Sequence, residues 1–230
     1  MRAARTYRHM KAIDQSLASF EQGIRLSPSQ PEFRFEYGEI LYLETNRTRR
    51  AATEIRTALE LDPHGTREGP WRVVLAEALG RLGDAPGAAE QMKMAILVKP
   101  VAMEIFRTHE DRLLLPVANA DPIDLVELVI EAARGVLRRA PDQTWWQNRR
   151  QGNNVARTLI ELDQAEDALS LVEGMLEATG QSDTSLVRLR SELLGQTVRS
   201  EEAGADPPTD DPVDRAHVAF VPHLARALIE

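Results

Sequence analysis

The chain has 230 residues, no cysteine, 43% hydrophobic but only 5% aromatic residues, and 28 basic against 36 acidic side chains for a net charge of −8. The missing cysteines exclude disulfides, thiolate metal sites and a cysteine nucleophile, and the acid excess argues against a broad nucleic-acid or anionic-membrane footprint. Frequent Ala, Leu, Glu and Arg with few aromatics point to an all-helical protein.

Four Arg or Lys residues stand among the first eleven, but no apolar stretch follows them, so the N-terminus does not read as a secretory signal. No segment has the apolar length to span a bilayer, and the expected location is cytoplasmic. Residues 1–28 show one clear helix with Tyr7, Met10, Ile13, Leu17, Phe20 and Ile24 on one face, read as an N-terminal capping helix or a partial repeat. Residues 29–63 carry Gly38, Leu41, Ala51, Ile55 and Ala58 before Pro63. In 64–100 a first stripe (Leu75, Ala76, Leu79, Leu82) precedes a Gly83-Asp84 turn. A second stripe (Ala88, Met92, Ala95) then runs to Pro100, which predicts two antiparallel helices of roughly 14 residues each. The alanines let helix backbones approach, so a large residue at Ala76, Ala88 or Ala95 should cost about 1–3 kcal/mol. Trp71, after Gly69-Pro70, reads as a packing residue near a helix start.

Residues 101–141 diverge from this pattern. Their first half has no Gly break, and Asn119–Pro122 is expected to supply an N-cap and an early proline for the next helix. Residues 142–182 return to it with Val155, Ala156, Leu159, Asp163, Ala168, Val172 and Met175, closing at Gly180. Residues 183–198 form a capping helix, with Asp183 or Thr184 as cap and Leu186, Leu189, Leu193 and Leu194 inward. An acidic disordered linker is expected over 199–212, since 200–214 holds six acids, three prolines and no base. An amphipathic helix over 213–230 follows, with Val213, Ala216, Phe220, Leu224 and Leu228 at helical spacing and Pro222 a kink; it would dock on a partner or fold back on the chain's own groove.

Pro28, Pro63, Pro100 and Pro141 end alike segments at intervals of 35, 37 and 41 residues. Leu75, Ala76, Leu79, Gly83, Ala88, Met92, Ala95 and Pro100 resemble the consensus of the tetratricopeptide repeat (TPR), with Met92 in place of an aromatic. The 142–182 unit matches more loosely, with Asp163 at the break and a bulky Met175 at a small-residue position. The 29–63 unit has one extra residue between Gly38 and Ala51. The resemblance implies a right-handed α-α superhelical solenoid whose repeats are 29–63, 64–100, 101–141 and 142–182.

No residue pattern supports catalysis. His9, His64, His109, His217 and His223 are scattered, His109-Glu110-Asp111 lacks a second histidine at zinc-protease spacing, and no phosphate loop follows Gly152-Asn153-Asn154. No cofactor or metal is expected. In TPR arrays the first helix of each repeat lines a concave groove, and the register puts Arg150, Asn153, Asn154 and Arg157 there, with Trp146 at hand. Arg and Asn side chains suit a carboxylate or a peptide backbone. The matching positions elsewhere are acidic or apolar (Glu36, Glu39, Val73, Glu77), which predicts a groove with one acidic and one basic end. Tyr37 and Tyr42 are expected as further apolar contacts. Ordinary salt bridging by Arg149, Arg150 and Arg157 is the alternative use of those side chains. The expected function is a non-enzymatic scaffold or adaptor that binds a partner peptide or helix. The alternative is the regulatory or substrate-recruiting region of a larger enzyme or secretion machine.

Overall fold

A computed structural model describes residues 1–98, 114–139, 145–178 and 183–204, with 145–148 and 196–204 by backbone alone. The protein is all-α, with ten helices and one two-residue strand pair among the described residues. Pro100, Pro141, the trio at 109–111, most of the linker and the 213–230 segment lie outside them. The chain forms two compact units, one holding residues 1–101 and 106–125, the other 102–105 and 126–230.

The first unit consists of α1 (Arg2–His9), α2 (Ile13–Leu26), α3 (Pro31–Thr45), α4 (Thr48–Leu61), α5 (Glu68–Arg81), α6 (Ala85–Val98) and strands β1 (Leu114–Leu115) and β2 (Ile123–Asp124). Each helix packs on the next in sequence, and α3 also touches α5. Where one N-terminal helix is expected, the chain makes two. Lys11 takes a left-handed conformation (φ 57°) that ends α1 and turns the chain back, and this strands Tyr7 and Met10 at 38% and 69% exposure. Residues 1–28 are therefore a complete helical hairpin.

The hairpins share one construction. Each is turned by a single residue with positive φ: Lys11, Asn46, Gly83 and, in the second unit, Asp163. After three of these, the N–H of Ala12, Asp84 or Gln164 returns to the carbonyl five residues earlier, on Tyr7, Leu79 or Leu159. That bond satisfies a carbonyl the helix end would orphan. After Asn46 the N–H of Arg47 reaches back one residue further, to Leu41 at 3.0 Å, which absorbs the extra residue between Gly38 and Ala51. Each hairpin buries a small residue on both of its helices: Ala4 and Ser16, Gly38 and Ala51, Ala76 and Ala88, Ala156 and Ala168. A Cβ on Gly38 would lie 2.8 Å from Ile55 Cγ1, so the α3–α4 approach needs a glycine. Ser16 is accommodated because its hydroxyl donates to the Ala4 carbonyl at 2.8 Å, which leaves no buried donor unpaired.

The divergent stretch departs from the expected N-cap. Asn119 serves as a left-handed residue (φ 59°) between β1 and β2, which pair antiparallel, Leu115 opposite Ile123. The helix begins only at Leu125. The preceding segment is held on α5 instead: Ala118 N–H donates to the Gly80 carbonyl at 2.8 Å.

The second unit contains α7 (Leu125–Arg139), α8 (Trp145–Glu161), α9 (Ala165–Ala178) and α10 (Thr184–Gly204). Leu128, Val129, Ala132, Ala133 and Val136 form the buried stripe of α7. The bulky Met175 is explained by Gly152, whose missing side chain leaves room: a Cβ there would meet Met175 Sδ at 2.1 Å. The large side chain of one helix occupies the space that a missing side chain on the other leaves. Asp183 caps α10, accepting from the N–H groups of Ser185 (2.9 Å) and Leu186 (3.2 Å). Leu186, Leu189 and Leu193 are buried, whereas Leu194 is 43% exposed and not inward as expected. The helix also runs through Gly204, past the expected boundary at 198, because Ser200-Glu201-Glu202-Ala203 has no breaker before Pro207.

Candidate functional site

In the first unit, α1, α3 and α5 line a groove of about 710 Å³. Each is the first helix of its hairpin. The floor is apolar. Phe35 from α3 stacks on Trp71 from α5, centroids 4.9 Å apart and planes within 14°, and Val74 continues the surface one turn along. Such a stack contributes about 0.5–1.5 kcal/mol beyond its buried area. Trp71 is thus the packing residue expected at the helix start, and it also forms part of the groove floor.

The walls are charged and largely paired. Arg5 grips Glu36 through two nitrogens, one at 2.8 Å, and Arg8 pairs with Glu39 and lies 3.8 Å from Glu44. The Glu36 carboxylate in turn pushes the Arg5 guanidinium above its ordinary pKa. Arg5 and Arg8 sit one turn apart on α1, as Glu36 and Glu39 do on α3, so two rungs form in register. Lys11 and Arg67 stand at the rim without ion pairs among the described residues. The acidic groove end read from Glu36 and Glu39 is thus neutralised by α1. Sequence reading missed Arg5, Arg8, Glu44 and Arg67; the matched i, i+3 spacing of the Arg and Glu pairs is the signal that could have found the first two.

Glu77, the other acidic position, is occupied as well. Tyr42 donates to it at 3.2 Å, and burial pushes its carboxyl above the usual range against the opposing pull of that hydrogen bond and of Arg81. The Tyr42 hydroxyl is in turn pushed up to about 12, by burial first and by Glu77 second. Tyr37 donates to Glu21, and that bond holds the Glu21 carboxyl below its ordinary value. Both tyrosines are at most 3% exposed, so neither presents a surface for a partner, contrary to expectation. Their rings fill the hairpin interior, and their hydroxyls are spent on these carboxylates.

The remaining predicted residues lie in the second unit on α8. Arg150, Asn153, Asn154 and Arg157 are at i, i+3, i+4 and i+7, within about 100° of one another around the helix. Gly152, Val155, Ala156 and Leu159 occupy the opposite, buried side. Arg150 and Arg157 are exposed, make no side-chain hydrogen bond or ion pair among the described residues, and flank the half-buried asparagines. Arg149 is different: its Nε meets Asp183 at 2.8 Å and its guanidinium donates to Ser185 at 2.7 Å, tying α8 to the cap of α10. Salt bridging therefore describes Arg149 and neither of its two companions. The Trp146 side chain lies outside the described residues. The seven predicted residues are thus divided, Glu39 and Glu77 in the first unit and the other five in the second.

No group of three or more His, Asp or Glu side chains suited to a metal occurs among the described residues. Nor is any of their helices long and apolar enough to cross a membrane. Comparison with models of known protein families and with curated protein sequences finds no match.

Proposed function

We propose that this protein is a non-enzymatic interaction module, a right-handed solenoid of TPR-like hairpins that holds a partner peptide or helix in the α1–α3–α5 groove. The observation that carries this reading is the groove itself. First helices of three successive hairpins line it, its floor is the Phe35–Trp71 stack with Val74, and two arginine–glutamate rungs stiffen one wall. Half-buried Val74 offers the apolar contact on this floor, supported by the Phe35–Trp71 stack, whose two rings are themselves buried, and the charged walls set register and orientation. The shared turn residues and buried small residues of the hairpins support the repeat assignment. The α8 face bearing Arg150, Asn153, Asn154 and Arg157 is a second contact surface in this reading, with its guanidinium groups open to carboxylates or backbone carbonyls.

Peptides selected from a random display library on the full chain test both surfaces. Val74→Arg fills the groove floor and should abolish binding of most selected peptides. Arg150→Glu with Arg157→Glu should abolish binding of a smaller set. If every selected peptide tolerates both variants with unchanged affinity, the assignment is wrong.

A further inference from the structure

A shallow cavity of about 430 Å³, broadly open to solvent, lies where α3 turns into α4 beside the end of α5. Its charged lining is arginine throughout: Arg47, Arg49, Arg50 and Arg81, with Thr48 and Leu82 between them. In a chain of net charge −8 this concentrates cations against the global balance. Arg50 is partly engaged, 3.0 Å from Glu21 and over the Tyr37 ring. Arg81 lies 4.1 Å over the Tyr42 ring and acts on the Glu77 carboxyl, so it too is partly engaged. Arg47 and Arg49 are exposed and have no side-chain partner among the described residues.

The placement of these arginines works against the fold. Arg49 and Arg50 lie in the first turn of α4, where the helix dipole disfavours cations. The second helices of the other hairpins follow the dipole or avoid charge there. The first turn of α2 holds Asp14, that of α9 holds Glu166 and Asp167, and α6 is led in by Asp84, which accepts from Gly87 N–H at 3.0 Å. No side chain caps α4, and its first turn holds no acid. An oxyanion in the cavity would relieve the mutual repulsion of the arginines and the mismatch with the helix terminus together.

We infer that this cavity docks a carboxylate-rich segment of a partner protein. Arg47 and Arg49 offer forked donors for carboxylates, Arg50 and Arg81 add positive charge behind them, and Leu82, 40% exposed at the edge, gives a neighbouring aliphatic side chain a contact. A cavity this small on an acidic chain suits a short peptide segment better than a nucleic-acid backbone, which needs an extended basic face. This inference stands apart from the groove, whose lining residues are different.

The test is fluorescence anisotropy of a labelled octa-glutamate peptide with the full chain at about 50 mM and about 300 mM salt. The wild type should bind at low salt and release at high salt. Arg47→Glu with Arg49→Glu should weaken binding at least tenfold. Arg56→Glu with Arg138→Glu, an equal charge change at exposed sites outside the cavity, should weaken it by less than about threefold through long-range electrostatics alone. The Arg47→Glu/Arg49→Glu protein should also melt at or above the wild-type temperature, since acids there agree with the dipole. The inference is overturned by absence of peptide binding, by equal weakening in the two variants, or by a lower melting temperature in the first. Tighter binding of a 12-base-pair DNA duplex with the same Arg47/Arg49 dependence would overturn it too.

Discussion

Alanine in place of Gly80 should destabilise the protein although the residue lies inside a helix. In an open helix Gly→Ala gains about 0.8–1.0 kcal/mol from backbone entropy. At position 80 the new Cβ would stand 2.4 Å from the carbonyl oxygen of Pro116, which is 0.6 Å inside the shortest approach that Cβ atoms tolerate. The obstacle is backbone, so no rotamer change relieves it. The 116–118 segment must back away from α5, and that strains the Ala118 N–H bond to the Gly80 carbonyl. Overpacking of this kind costs about 1–3 kcal/mol, and loss of the hydrogen bond about 1 kcal/mol more. Subtracting the entropic gain leaves a net loss of about 1–3 kcal/mol, or several degrees of melting temperature for a chain of this length. Gly195→Ala is the internal control, because nothing lies within 4 Å of that Cβ; it should gain about 1 kcal/mol. Differential scanning calorimetry reads both variants, including any separate transitions of the two units. A Gly80→Ala protein as stable as wild type would refute the claim that the strand segment is pinned to α5 at this point.

Glu77 gives a pH test. Its folded-state pKa is raised by burial, so the stability it contributes is present below the ordinary carboxylate range and is lost as pH rises through that range towards the raised value. Glu77→Gln should therefore gain stability over wild type progressively as pH rises through and above the ordinary carboxylate range, measured by urea unfolding at several pH values; a constant difference would contradict this. Glu21 has the opposite sign. Its pKa is lowered by the Tyr37 hydroxyl, so its contribution is present above the ordinary range and fades as pH falls through the lowered value, and Glu21→Gln should flatten the acid limb. Met175→Ala should cost about 2–5 kcal/mol, and adding Gly152→Ala should recover part of it, a non-additivity that a double-mutant cycle detects. Asp163→Gly should gain about 0.5–1 kcal/mol in thermal unfolding, since glycine takes the left-handed turn without the penalty a Cβ carries.

The helical pairs of residues 29–98 and 145–178 were legible because their signals are local. Apolar residues recur at helical spacing, small residues are buried on both helices of each pair, and Gly83 or Pro63 punctuates the ends. The break at Lys11 was not legible, because lysine gives no sign of a left-handed conformation and Tyr7 and Met10 extend the apolar face through it. The strand pair at 114–124 escaped for another reason: its position depends on a hydrogen bond to Gly80, more than thirty residues earlier. On the candidate site, the shared face of Arg150, Asn153, Asn154 and Arg157 followed from spacing alone. The pairing of Glu36 and Glu39 did not, since their partners come from a helix that sequence reading had merged with its neighbour. The Met175–Gly152 contact shows how a misfit in a one-dimensional pattern can be a fit across two helices.

In the first unit, every helix finds its main partners immediately before and after it in the chain. Contacts of this kind close short loops, so little entropy is lost before the first stabilising interaction forms. Folding should then start within a single hairpin and spread to its neighbours, at the rate of low-contact-order helical proteins. The same locality limits how damage spreads. A hairpin at one end can open while those further along keep most of their partners, so amide exchange should show a gradient of protection from α1 inward.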